Sequence, residues 1–448
     1  MSDHNATSAA AYSRRNFVLG VINGAIWIGA SALIDARAVL PAFALDLTGR
    51  VMGVGILAAA SAAGWAWPPV LLSPLMQRTR VRMVYYHISA ALRIAIVWAL
   101  VIVTMHARRG SSLPLWVVGG LLLALTSAGG LGLLPFMSVV ADSIPARLRG
   151  KFFGMRWFFG GLLSLAAGAY VKRMLSPASD ALFPMNYARL FAVAAALMTV
   201  SLSVFAFAEE WPHPVRHRTL PLPLQWRWGA RLLVRDHNFR RLIAANLLTQ
   251  LAFGLTTPFL VPFALKRLNV DPQGVGLFVS VSVLALSLSN ILWSRISDGP
   301  GNRLVLSVAS AIYVLAPIMA LTAPLFPTQS SGHFLGMAVS PAMWWMLGIF
   351  GVSGFAQAGL TIGITNYLLE LSPEPQRLTY LAFFYLSSLP NAFWPIAGAA
   401  LIGEGGRYLA AFAFALVLAM AMLVNALRLD ELREKAPQRQ APQGVPAH

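Results

Sequence analysis

LPAFALDL (residues 40–47) followed by GVGIL (53–57) returns later in the chain as VPFALKRL (261–268) followed by GVGLF (274–278), at a shift near 221 residues. At the same shift Arg82 falls opposite Arg303. Further on the shift widens to about 228, so that ADSIPARLRG (141–150) lies opposite LELSPEPQRL (369–378). That register pairs Asp142 with Glu370 and Arg149 with Arg377, and Gly168 then aligns with Gly398. Four matches, in order and at consistent spacing, describe a chain built from one unit used twice.

The repeated unit is a membrane unit. Of 448 residues, 57% are hydrophobic and 11% charged, against about 25% charged in a soluble domain. Such a composition cannot cover a water-facing surface, so bilayer rules apply. A span needs about 20 apolar residues. Twelve stretches qualify: 17–45, 51–75, 83–106, 114–140, 152–171, 186–208, 240–265, 273–295, 303–325, 341–369, 378–402 and 407–427. The polar opening MSDHNATSAAAYSRRNF precedes an apolar stretch too long for a signal-peptide core, which reads as a retained first helix.

The net charge of +18 would suggest nucleic acid in a soluble protein. Here the cations sit between apolar runs, where they set topology. With the N-terminus inside, the inner connectors and tails carry 23 of the 34 Lys and Arg residues and the outer connectors 9, while Arg37 and Arg93 fall within spans. Both termini are therefore expected in the cytoplasm of a bacterial inner membrane. The basic stretch 147–156 is read as a cytoplasmic loop. The expected organisation is a cytoplasmic tail (1–16), a six-helix bundle (17–208), a cytoplasmic linker (209–239), a second bundle (240–427) and a cytoplasmic tail (428–448). The linker's prolines and arginines suit a short amphipathic piece on anionic lipid.

Six helices repeated in one orientation imply two bundles related by an axis along the membrane normal. In this the sequence resembles the major facilitator superfamily over most of its length. That family's loop after helices 2 and 8 reads Gly-x3-Asp-[Arg/Lys]-x-Gly-x-[Arg/Lys]. The second copy here, SRISDGPGNR (294–303), keeps Asp298, Gly301 and Arg303; the first, SPLMQRTRVR (73–82), keeps Arg78 and Arg82 but has Gln77 for the acid and Arg80 for the second Gly. The resemblance implies an all-α fold of twelve transmembrane helices, a central cavity and alternating access. It also implies gating roles for Arg82, Asp142, Arg149, Asp298, Arg303, Glu370 and Arg377. The helix-5 antiporter motif and a helix-4 arginine are absent, which weighs against a drug antiporter.

Ionisable groups at membrane depth are functional candidates by default. Asp35, in IDARAVLP (34–41), is the candidate proton-coupling acid. Arg37 follows two residues on, and on one helix an i,i+2 pair does not meet, so the two are expected to face different neighbours. Arg93, mid-way along helix 3, is expected to turn inward and form a structural ion pair. Asn23 and Trp27 share one face of helix 1, and Asn246 and Gln250 one face of helix 7. With Arg37, Gln357, Asn366, Asn391 and Trp394 they make a candidate substrate-binding set; each alone could equally tie helices together.

No phosphate-cradling loop and no metal-ligand spacing occurs, and the absence of Cys excludes disulfides and thiolate chemistry. The expectation is a cofactor-free, non-enzymatic, monomeric secondary transporter among membrane lipids, with a small solute and protons as partners and no nucleic acid. One excess positive charge among Asp35, Arg37 and Arg93 favours an anionic or zwitterionic solute. An exporter of hydrophobic or cationic compounds, and a non-transporting receptor or scaffold on a transporter fold, stay open as alternatives.

Overall fold

A computed structural model of the protein describes residues 2–65, 67–210, 231, 234–335, 337–372 and 377–432. Most of the expected linker and the end of the C-terminal tail lie outside the described residues, as does the amphipathic piece placed in that linker.

The chain crosses the membrane region twelve times. Among the described residues, nine helices are long and apolar enough to do so in one piece: α5 (Met83–Met105), α6 (Ser112–Ser143), α7 (Ala146–Met174), α8 (Met185–Ala206), α9 (His237–Arg267), α10 (Gly274–Asp298), α11 (Asn302–Thr322), α12 (Pro341–Leu371) and α15 (Tyr408–Leu427). The other three passes are broken. Pass 1 is α1 (Ser2–Ala32) plus α2 (Val39–Thr48), pass 2 is α3 (Val51–Ala63) plus α4 (Pro68–Gln77), and pass 11 is α13 (Arg377–Ser387), a 3-10 turn at Leu389–Phe393, and α14 (Trp394–Ile402). A two-stranded hairpin, β1 (Gly332–Phe334) with β2 (Met337–Val339), sits in the connector before α12.

Each break has a local cause. Pass 2 breaks before Pro68 and Pro69, and pass 11 around Pro390, where proline removes a donor and clashes with the preceding turn. Pass 1 breaks between Ala32 and Val39: Pro41, in the first turn of α2, cannot donate to the Arg37 carbonyl and excludes a continuous helix there, and Asp35 reinforces the break. The Asp35 Oδ1 accepts the Arg37 backbone N–H at 2.9 Å, and its carbonyl accepts the Leu40 N–H at 3.0 Å. A short acidic side chain has captured a helix donor. The N-terminal stretch read as a tail is itself the start of α1.

The duplication is visible in packing. In the first half α1 packs on α8, α5 on α6, and α5 on α8; in the second, α9 packs on α15, α11 on α12, and α11 on α15. Phe43 meets Tyr187 and Phe191 at centroid distances of 5.2 and 5.6 Å, and Phe263 meets Tyr408 and Phe412 at 5.6 and 5.2 Å. Gly132 packs on Ser89 as Gly359 packs on Ala309. Tyr187 and Phe191 fall on Tyr408 and Phe412 at the 221 shift, whereas Phe43 falls one residue off, on Phe263, so the packed cores follow the sequence register to within a residue.

The halves meet along two seams: α3 against α14, and α7 against α10. The second glycine of each repeated GVG marks one seam. A methyl group on Gly55 would lie 2.7 Å from the Pro395 carbonyl, and one on Gly276 would collide with the Gly168 carbonyl. Backbone approach this close is available only without a Cβ. On the face carrying the α2–α3 and α14–α15 connectors, the Lys266 Nζ donates to the Gly49 carbonyl at 2.6 Å, Lys172 donates to the Leu335 carbonyl, and Arg50 lies 3.7 Å from Glu404. This face is tied shut across both seams.

Candidate functional site

Asp35 and Arg37 do meet, contrary to the expectation from helical spacing. The Arg37 Nε and Nη2 donate to Asp35 Oδ2 at 3.1 and 2.9 Å. The i,i+2 rule fails because these residues stand in the break between α1 and α2, where the chain turns and the two side chains come to one side. The remaining arm, Nη1, donates to Gln357 Oε1 of α12 at 2.9 Å. A residue of the first half is thus bound to the second half through a charged, half-buried side chain, with Asp35 9% exposed.

Gln357 lines a cavity of about 210 Å³ with Asn246, Thr249, Gln250, Thr361 and Thr365. These positions occupy the first half of α9 and the second half of α12, so the cavity lies on the side of the Arg37–Gln357 contact away from the tied face. Asn246 donates to Ser388 Oγ at 2.8 Å, Thr249 to the Met422 sulfur at 3.1 Å, and Gln250 is exposed in the cavity. The cavity wall combines these neutral hydrogen-bonding groups with Phe253, Leu360, Ile364 and Phe384, all from the second half, and Arg37 reaches it only through Gln357.

Asn23 and Trp27 are not part of this wall. The Asn23 Nδ2 donates to the Ser201 carbonyl at 2.9 Å and to its hydroxyl at 3.0 Å, which binds α1 to α8. Trp27 lies under the Arg93 guanidinium, 3.9 Å from ring centroid to Cζ. Arg93 is 8% exposed and, among the described residues, has no acidic partner. The expected ion pair is replaced by a cation–π contact with Trp27. Asn366 donates to Ser297 Oγ at 2.9 Å, and Ser297 donates to Asn302 Oδ1 at 2.6 Å, a chain that fastens α12 to the α10–α11 corner. Trp394 packs over Gly254 of α9. The side chain of Asn391 lies outside the described residues.

The gating candidates divide by half. The Arg82 Nη1 donates to Ser138 Oγ at 2.8 Å, and Ser138 donates to Asp142 Oδ2 at 3.4 Å. The Arg149 Nε donates to the Ile144 carbonyl at 3.1 Å. In the second half the Arg303 Nη2 donates to the Leu427 carbonyl at 3.1 Å, so the α11 start is held by the α15 end. Gly301, which precedes α11 after the Asp298 turn, has φ +112° and faces Glu431, a conformation that L residues with a Cβ avoid. Glu370 sits at the exposed end of α12. The side chain of Arg377 lies outside the described residues.

Two groups escaped the sequence reading. Arg156 was expected in a loop, yet α6 ends at Ser143 and α7 begins at Ala146, so Arg156 stands three turns inside a helix. Its side chain lies across Gly24 of α1, where any Cβ would collide with the guanidinium. The signal was present as Phe152, Arg156, Gly160 and Ser164 at four-residue spacing, set against Gly20, Gly24 and Ile28 of α1. Asp46 is the second: its carboxylate accepts from the Tyr187 hydroxyl at 2.8 Å. At the 221 shift the pair falls on Arg267 and Tyr408, so one half keeps an acid where the other keeps a base.

The family model of the Major Facilitator Superfamily matches residues 242–447. No curated protein matches the sequence. Solved structures match nearly the whole chain. The nucleoside transporter NupG (D323A mutant) aligns with TM-score 0.66 at 12% identity, over 94% of this chain and 100% of that one. A D-xylose–proton symporter aligns with TM-score 0.66 at 12% identity, over 94% and 98%. A POT family transporter in complex with a thioalcohol-conjugated peptide aligns with TM-score 0.67 at 13% identity, over 92% and 96%.

Proposed function

The chain has the Major Facilitator Superfamily fold over its length and matches that family's model over its second half; from this we propose that it is a proton-coupled secondary transporter of a small anionic or zwitterionic solute. The observation that carries the reading is the Asp35–Arg37–Gln357 chain. It joins a titratable acid of one half to a cavity-lining group of the other, through one cation.

The coupling follows from electrostatics. Ionised Asp35 accepts three donors from Arg37 and fixes the guanidinium so that Nη1 reaches Gln357. Protonation removes the negative charge and most of the attraction. Arg37 is then free to leave Asp35 for an anionic group of the solute, and the tie between halves is remade or lost according to what the cavity holds. A ligand shifts such an equilibrium only by its differential contact with the two arrangements. With both termini in the cytoplasm of a bacterial inner membrane, the tied face is outward and the cavity is on the inward side. The domain limits follow the same scheme: bundles at 17–208 and 240–427, joined through the cytoplasmic segment 209–239. The solute-binding wall is assigned to Asn246, Gln250 and Gln357 with Arg37, and the inner-face latch to Arg82 with Asp142 and to Arg303.

A thermal-shift screen of small organic acids and amino acids at two pH values identifies the solute. In proteoliposomes, the wild type is expected to accumulate it under an imposed pH gradient. Asp35→Asn is expected to keep exchange at equal pH and to lose gradient-driven accumulation. Undiminished accumulation by Asp35→Asn overturns the coupling role.

A further inference from the structure

The first half holds two cations at membrane depth that no described acid neutralises. Asp35 is used by Arg37, and Asp46 sits at the far end of the bundle with Tyr187. Arg93 stacks on Trp27, and among the described residues its Nε has no hydrogen-bond partner. Arg156 donates through Nη1 to the Gly20 carbonyl at 2.5 Å and to Asn23 Oδ1 at 3.3 Å, and its guanidinium lies 4.7 Å from the Phe136 ring centroid and 5.3 Å from that of Phe152. Tyr86 lies within the field of both arginines.

A carbonyl dipole and two aromatic faces orient a guanidinium but do not cancel its charge. An uncompensated cation inside a membrane protein costs several kcal/mol. Arg93 is sealed in the bundle. Arg156 is half-buried, on the helix pair α1–α7 together with Phe136 of α6, and only one of its terminal nitrogens is used within the described residues. Its position is also built: Gly24 leaves the gap in which the side chain lies.

We propose that Arg156, held over Gly24 and beside Phe136, is an oxyanion-binding site that takes the carboxylate or phosphate group of the transported solute. Arg93 adds a second positive charge behind it and strengthens the local potential. The solute supplies the counter-charge that the protein leaves out. This deepens the transporter reading and rests on it. It also disfavours cationic cargo, which would meet two fixed positive charges.

The test uses full-length protein in detergent, titrated with inorganic phosphate, citrate and benzoate at constant ionic strength against chloride, with the thermal midpoint as readout. At least one of the three is expected to raise the midpoint saturably. Arg156→Gln should weaken its apparent affinity by about tenfold or more, the loss of one charge-assisted contact. Gly24→Ala should act likewise by displacing the guanidinium, whereas Arg173→Gln on the tied face should leave affinity unchanged. Should Arg156→Gln prove too unstable to titrate, Gly24→Ala and Arg156→Lys decide. Wild-type affinity in the Arg156 and Gly24 variants, or no saturable rise with any of the three anions, overturns the site. Flux of the same anion in proteoliposomes separates the two readings. Binding that depends on Arg156 without flux sinks transport and keeps the site, and flux indifferent to Arg156 does the reverse.

Discussion

An asparagine and a glutamine show how differently similar residues are used. Asn23 spends its amide on Ser201 and joins α1 to α8, while Gln250 faces the cavity. Interhelical hydrogen bonds in membranes average roughly 0.6 kcal/mol each. Asn23→Ala should therefore lower stability by about 1 kcal/mol, read as a drop in the thermal midpoint of the detergent-purified protein. Gln250→Ala should leave that midpoint unchanged and weaken solute binding. Equal midpoints for the two variants would place both residues in one role. At this scale the sequence showed which polar groups sit at depth, since hydropathy marks them without a structure. It did not show that Asp35 pairs with Arg37: Pro41 marks a break, but the sequence pattern does not say which side chains the turn brings together.

Helices here are defined by what they approach. The two GVG motifs place Gly55 and Gly276 at the seams, where the backbones of opposite halves touch. Gly276→Leu would force α7 and α10 apart, and overpacking of this kind costs typically about 1–3 kcal/mol. The measured result should be a clear fall in the thermal midpoint. Gly120→Leu, at a position with open space around it, should show none. The span edges read from the sequence agree with the helix ends to within a few residues in most passes. The exceptions are α7, whose start absorbs the supposed basic loop, and the breaks in passes 1, 2 and 11. A basic residue in a helix one turn from the membrane surface and one in a loop look alike in a hydropathy profile, so Arg156 went to the wrong class. Removing it from the connector count leaves the strong positive bias of that face in place.

The whole molecule is two packed bundles tied across one face, with a polar cavity beyond the tie. Because the chain has no Cys, an introduced pair can report on that face without background. Arg50→Cys with Glu404→Cys places thiols where the structure brings the halves together. A reducible bifunctional thiol reagent long enough to replace the two side chains should cross-link the pair and halt transport, and reduction should restore it. Cross-linking that leaves flux intact would mean that this face does not need to open. The single exposed ion pair at this position contributes little by itself; the glycine seams and the Lys266–Gly49 and Lys172–Leu335 contacts hold the face together.

The sequence by itself determined the number of passes, the duplication and its register, and the list of polar groups inside the membrane. These follow from composition and periodicity, because a bilayer demands apolar length and a repeated fold keeps its spacing. Tertiary structure alone decided which of those groups share a space. Asn23 and Trp27 turn into the first bundle, Gln357 meets Arg37 across the seam, and Arg156 settles over Gly24. Those outcomes depend on helix rotation, on how the chain turns at the break before Pro41, and on close approach at glycines, and a one-dimensional pattern does not fix them.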